Sequence, residues 1–130
     1  MSESINPPQW PRPSGYSNGV VAQGRLLAIS GQIGWDESGK LVSDDFLQQA
    51  LQALRNVVTV LRTAGGEPAH LVRLTWYVVE TDEYRASLPA LGRGYREIVG
   101  EHYPAMALLQ VAGLLEEGAR VEIEATAILP

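Results

Sequence analysis

Leu71-Val72-Arg73-Leu74-Thr75-Trp76-Tyr77-Val78-Val79 is the stretch on which the fold turns. Its β-branched and aromatic side chains suit a pleated, half-buried surface, so the sequence predicts a strand here. Alternation puts Val72, Leu74, Trp76 and Val78 on one face and Leu71, Tyr77 and Val79 on the other. Large apolar groups on both faces call for two covers. Helices of the same chain supply one. A second subunit is the simplest supply for the other, the alternative being an N-terminal segment folded across it.

The clearest helix precedes this strand. Phe46, Leu47, Ala50, Leu51, Leu54, Val57, Val58 and Leu61 recur at helical spacing. Ser43 is the expected N-cap, Asp44 and Asp45 fall in the first turn, and Gly65-Gly66 is a stop signal. Residues 31–45, with Gly31, Gly34 and Gly39, are expected as a loop. Val20–Ala22 and Leu26–Ile29, separated by Gln23-Gly24-Arg25, have the pattern of a hairpin. Residues 1–14 form an extended lead-in, because Pro7, Pro8, Pro11 and Pro13 neither continue a helix nor donate to a ladder.

After the strand, Thr81-Asp82-Glu83 opens a second helix reaching about Val99. Pro89, Gly92 and Gly94 disfavour a helix interior, so a kink or a late start is expected near Pro89. Met106–Val111 and Arg120–Leu129 read as the last strands. The order ββαβαββ indicates an α+β fold with a single layer of two helices on one sheet face.

Composition limits the function. With 130 residues and 45% hydrophobic content, the chain is expected to form one domain, residues 1–130, with a true core. A net charge of −5 disfavours a nucleic-acid partner. The absence of cysteine excludes disulfides, thiolate nucleophiles and thiolate metal sites, and suits a reducing compartment. The N-terminus lacks the basic and apolar regions of a signal peptide, and no apolar run approaches the ~20 residues of a membrane span. A soluble cytoplasmic protein, with no membrane partner, is the expectation.

Most motif-like features reduce to structure. Gly34-Trp35-Asp36-Glu37-Ser38-Gly39-Lys40-Leu41 approaches a phosphate-binding loop, but Leu41 has no hydroxyl for magnesium and Asp36 and Glu37 would repel phosphate. A turn is expected instead. Gly92-Arg93-Gly94 lacks the third glycine of a dinucleotide fingerprint and lies inside a helix, where close packing explains it. His70 and His102 have no metal-ligand spacing, and no serine has a triad-like context, so neither a metal nor a cofactor is implied. Glu122 and Glu124 are more informative. They alternate with Val121, Ile123 and Ala125, so both carboxylates share the face opposite that apolar row. Covered by another subunit, such a carboxyl is partly desolvated and becomes usable as a general base. Left uncovered, the pair is an edge charge that limits aggregation.

Several segments, taken in order, resemble the RidA/YjgF family of reactive-intermediate (enamine/imine) deaminases. They are Gly15-Tyr16-Ser17, Ser30-Gly31-Gln32-Ile33, Ala64-Gly65-Gly66, Leu71-Val72-Arg73-Leu74-Thr75, Thr81-Asp82, Tyr103-Pro104-Ala105, Gln110-Val111-Ala112 and Val121-Glu122-Ile123-Glu124-Ala125. The resemblance spans about Gly15 to Ile128. It implies a chorismate-mutase-like mixed sheet, a homotrimer with clefts between subunits, and a small-molecule substrate. It further implies that Glu122 positions the hydrolytic water and that Tyr16, Ser30 and Gly31 line the cleft.

The chain departs from the family at the substrate anchor. Typical members have an arginine after the Pro-Ala pair, which grips the substrate carboxylate with two parallel donors. Here that position is Met106, which is apolar and cannot do so, and Leu108 stands where a cysteine is frequent. Met106 and Leu108 are therefore expected as an apolar pocket floor. Two functions follow: an imine or enamine hydrolase of altered specificity, or a non-catalytic trimer that binds a small metabolite. A compensating cation separates them, with Arg73, Arg93 and Arg120 as the candidates. The family's older association with ribonuclease activity is disfavoured by charge and by the absence of a histidine pair.

Overall fold

The computed structural model describes residues 2–130; Met1, at the head of the expected lead-in, lies outside the described residues. The elements run β1 (Ser2–Ile5), β2 (Gly19–Ala22), β3 (Arg25–Gln32), α1 (Phe46–Thr63), β4 (Leu71–Val78), α2 (Thr81–Ala86), α3 (Leu88–Ile98), β5 (Ala105–Gln110) and β6 (Val121–Leu129). A four-stranded mixed sheet has the order β3-β6-β4-β5, with β4 and β5 parallel and the other pairs antiparallel.

α1 forms where the periodicity demands it and buries Phe46, Ala50, Ala53, Leu54, Val57, Val58 and Leu61. Its cap lies two residues beyond the expected Ser43. Asp45 is the N-cap and accepts from the Gln48 amide, while the Ser43 hydroxyl accepts from the Asp45 amide. At the other end Gly65, at φ +88, and Gly66 return their amides to Arg62 and Leu61, a Schellman closure that satisfies the last carbonyls. The second helix is broken at Ser87. Pro89 sits in the first turn of α3, where its missing amide costs nothing, so the expected late start falls at Leu88. Gly94 is buried against Leu51, which lets α3 pack close to α1.

The expected hairpin between β2 and β3 does not form. β2 pairs instead with β1 from the lead-in, and β3 pairs with β6. Gly24 explains the separation: a side chain there would meet the Leu129 carbonyl, so the chain crosses directly over the end of β6 between the two strands. The faces of β4 also differ from simple alternation. A bulge between Leu71 and Arg73 turns Leu71 into the core with Leu74, Trp76 and Val78 and leaves Val72 half-buried. The opposite face of β4 therefore carries Arg73, Thr75 and Tyr77 without Leu71, and Val79 lies just beyond the strand.

α1 and α3 cover one face of the sheet, and the core lies between them and β3, β4 and β6. The other face has no helix on it. Leu26 (69% exposed) on β3 and Leu109 on β5 are among its exposed apolar groups. Among the described residues no helix is long and apolar enough to cross a membrane.

Candidate functional site

Register assigns each candidate residue to a face. Leu74 pairs with Met106 and Trp76 with Leu108, and Leu74 and Trp76 are core residues, so Met106 and Leu108 lie on the helix-covered face. Tyr77 pairs with Glu122 and Thr75 with Glu124, so the two carboxylates lie on the bare face. Register thus separates Met106 and Leu108 from Glu122 by the thickness of the sheet.

The bare-face group is Glu122 with Gly31. β3 shifts register between Ile29 and Gln32, and Gly31 passes against the Glu122 carboxylate so closely that a Cβ there would collide with it. Glu122 is half-buried and Glu124 exposed. The Glu122 carboxylate accepts no hydrogen bond from another side chain among the described residues, which leaves its lone pairs free for water. Tyr77 stands across from it. Loss of solvent contact, then the Glu124 carboxylate within hydrogen-bonding reach, then Glu122, push the Tyr77 hydroxyl above its ordinary value. Ser30 is exposed, and its hydroxyl and carbonyl both take the Gln32 amide at 3.2 Å.

The second group is Tyr16 with Met106. Ser17 anchors the loop before β2 to the segment before β5: its amide donates to the Pro104 carbonyl at 3.1 Å and its hydroxyl to the Tyr103 carbonyl at 2.6 Å. Exposed Tyr16 is thereby held beside Met106 in a hollow of about 180 Å3 that also includes Arg73 and Ala107. Met106 faces a second, larger space as well. A cavity of about 470 Å3 lies between β4, β5 and the helices α2 and α3, lined mainly by apolar and aromatic groups. Leu108 packs against the core.

The three candidate cations differ in availability. Arg120 is committed, with Nε 2.9 and 2.7 Å from the two oxygens of Glu83, an interaction that raises its already high pKa. Arg73 reaches the hollow beside Tyr16, and Arg93 is exposed on α3. Sequence reasoning passed over Arg96, which lines the larger cavity. The signal was its spacing: Arg96 lies four residues after Gly92, on the same helical face.

The other motifs resolve as local structure. Residues 34–41 form a turn in which the Ser38 and Lys40 amides bond the Asp36 carboxylate. His70 accepts the Glu67 amide, and His102 Nε2 lies 2.7 Å from the Leu71 carbonyl. Among the described residues no cluster of His, Asp and Glu could hold a metal ion.

A helix-backed mixed sheet, with a carboxylate on its bare face and a Tyr–Met hollow at its edge, puts the chain in the class of small α+β domains. Comparison with known proteins gives the family. Residues 10–129 match the model described as Endoribonuclease L-PSP, and the chain belongs to this RidA/YjgF family. The human 2-iminobutanoate/2-iminopropanoate deaminase is 37% identical over 87% of this chain and 79% of its own length. The crystal structure of the Rid-family protein YyfB from Yersinia pestis, of unknown function, superposes with a TM-score of 0.85 at 38% identity, covering 98% of each chain. Escherichia coli TdcF, solved with bound serine, superposes at 0.72 with 25% identity over 98% of this chain and 99% of its own.

Proposed function

We propose that the chain is a single-domain imine or enamine hydrolase of altered specificity, working in the cytoplasm as a homotrimer. The observation that carries the assignment is the Glu122 carboxylate, set against Gly31 with no side-chain donor occupying it. Its support is the deaminase activity named for the human relative, together with the bare sheet face and its exposed Leu26 and Leu109. Glu122 and Met106 lie on opposite faces of one sheet, so a cleft that uses both needs a second copy of the chain. The cytoplasmic location is part of this proposal; the chain has no cysteine, and among the described residues no helix is long and apolar enough to cross a membrane.

In the reaction Glu122 accepts a proton from water as the water oxygen attacks the carbon of the C=N bond. Glu122 returns that proton to the nitrogen to give the carbinolamine; the hydroxyl proton then passes to the nitrogen as the C–N bond breaks, releasing ammonia and leaving a carbonyl compound. Tyr16 offers a hydrogen bond to the bound substrate, and Ser30 and Gly31 border the water. General-base assistance of this kind contributes ~10²–10⁴ in rate. Met106 provides surface for the substrate's apolar part but no grip on a carboxylate.

That missing grip favours a second reading, in which the trimer binds a metabolite without turning it over. The test generates imines in situ with an amino-acid oxidase, from small and from bulky amino acids, and follows their decay with wild type and Met106→Arg. Hydrolysis of bulky imines by wild type is the expected result. A wild type inactive on every imine, with no gain in Met106→Arg, leaves only the binding protein.

A further inference from the structure

We infer that Arg96 replaces the missing anchor, and that the cavity beneath α3 accepts a monocarboxylate with a bulky, flat or branched apolar side chain. The inference rests on the proposed reaction only in that Met106 borders both spaces. The cavity holds about 470 Å3, within the ~300–1,000 Å3 typical of small-molecule sites. Leu74, Trp76, Tyr84, Leu88 and Met106 give it an apolar wall. Arg96 is the single charged side chain in the lining, which includes no carboxylate. A space of that kind is complementary to an amphipathic anion and selects against cations.

The position of Arg96 has a local cause. Its Nη1 lies 3.6 Å from where a Cβ on Gly92 would stand, so the guanidinium folds back along α3 over a helix surface that glycine leaves open. It enters no ion pair among the described residues, and so both of its donor edges are free for a carboxylate. Arg73 is the competing candidate and is the weaker one. It opens on a hollow of about 180 Å3, below the ~300–1,000 Å3 typical of small-molecule sites. Trp76, 3% exposed, completes the apolar wall, its Nε1–H buried without an acceptor among the described residues.

Phenylpyruvate, the oxo acid that hydrolysis of an aromatic imino acid would leave, is the probe, with pyruvate as the small comparison. Isothermal titration of the full chain should show phenylpyruvate binding more tightly than pyruvate. Charged hydrogen bonds of this type are worth about 10- to 100-fold in affinity, and Arg96→Gln should lose that much for phenylpyruvate. Arg93→Gln, three residues earlier on α3 and outside the cavity lining, should bind as wild type. Equal affinity in Arg96→Gln and wild type, or no preference for phenylpyruvate over pyruvate, overturns the inference. The two proposals fail separately. Phenylpyruvate binding that depends on Arg96, with no imine turnover, removes the hydrolase and keeps the site. Imine turnover indifferent to Arg96→Gln in KM removes the site and keeps the hydrolase.

Discussion

The two faces of the four-stranded sheet are built from the same strands yet do different work. On the helix-covered face Leu71, Leu74, Trp76 and Val78 are all at most 3% exposed, and shape is fixed by packing. On the bare face the same strand presents Arg73, Thr75 and Tyr77, and β6 adds Glu122 and Glu124. One face therefore holds apolar volume and a cavity, the other holds charge with little to satisfy it. A cleft that needs both an apolar substrate pocket and a free carboxylate cannot be assembled by one sheet alone. For the proposed reaction, the contrast means that the bare face of one copy would have to meet the covered-face edge of another.

The strongest way to break that division is at the carboxylate. Glu122→Gln keeps shape and removes the base, so kcat for imine hydrolysis should fall ~10²–10⁴-fold. Half-burial and the lack of side-chain partners mean that stability should change by only about 0.5 kcal/mol, read as a nearly unchanged denaturation midpoint. Full activity in this variant would falsify the role given to Glu122.

On the covered face the corresponding break is in packing. Leu71→Ala should cost about 2–5 kcal/mol of stability, because the side chain is fully buried in the core. Val72→Ala, half-buried beyond the bulge, should cost less than half as much. Chemical denaturation of the pair measures the difference. Equal losses would mean that alternation runs through Leu71 undisturbed and that the bulge is wrongly placed.

That pair also marks the limit of what the sequence could give. Period-3.6 and period-2 patterns locate α1, β4 and β6, since those elements are defined by their own side chains. The break near Pro89 is legible for the same reason, proline acting on its own backbone. The bulge in β4 and the pairing of β2 with β1 are not, because each is decided by a partner strand distant in sequence. Gln49 shows the same limit for a side chain. It is fully buried, donating to the Ser43 and Gly118 carbonyls at 2.8 and 3.0 Å and accepting from the Arg120 amide at 2.8 Å. Helical spacing puts it on the core face with Phe46 and Ala53, but the distant Gly118 and Arg120 backbone groups that satisfy its amide are not legible locally. In the candidate site, Glu122 and Gly31 were legible as individuals, through alternation and resemblance respectively. The separation of Glu122 from Met106 by the sheet was not, since it follows from register alone.

Gly31 offers a sharper cut between the faces. Gly31→Ala places a methyl group against the Glu122 carboxylate, the far end of a flexible side chain that must shift to accept it. Displacing a catalytic group by about 1 Å costs up to ~10² in rate, so kcat should fall between 10- and 100-fold with the fold intact. Circular dichroism and kcat together decide. Unchanged turnover would show that the close approach of β3 has no bearing on the carboxylate.

The smallest expected effect compares one tyrosine from each side. Tyr95, stacked on Tyr103 at 5.5 Å and donating to the His102 carbonyl at 2.6 Å, is pushed upward chiefly by burial, with Tyr103 second. Tyr77 is also raised, by burial first and then by Glu124 and Glu122. An unfolded tyrosine ionises near ~10, and above that pH the unfolded chain sheds protons that the folded chain keeps. Both residues therefore stabilise the fold fully below about pH 10 and lose that contribution as pH rises through their higher folded values. Salt should separate them. Raising ionic strength from 0.1 to 1 M shortens the screening length from ~10 to ~3 Å, which weakens the carboxylate contribution at Tyr77 and leaves the burial contribution at Tyr95. Phenolate absorbance titrations of Tyr77→Phe and Tyr95→Phe at the two salt levels read each residue by difference. A downward shift confined to Tyr77 supports a charged bare face opposite an apolar one. Equal shifts at both positions would mean that the carboxylates act through the sheet, and that the two faces are not electrostatically distinct.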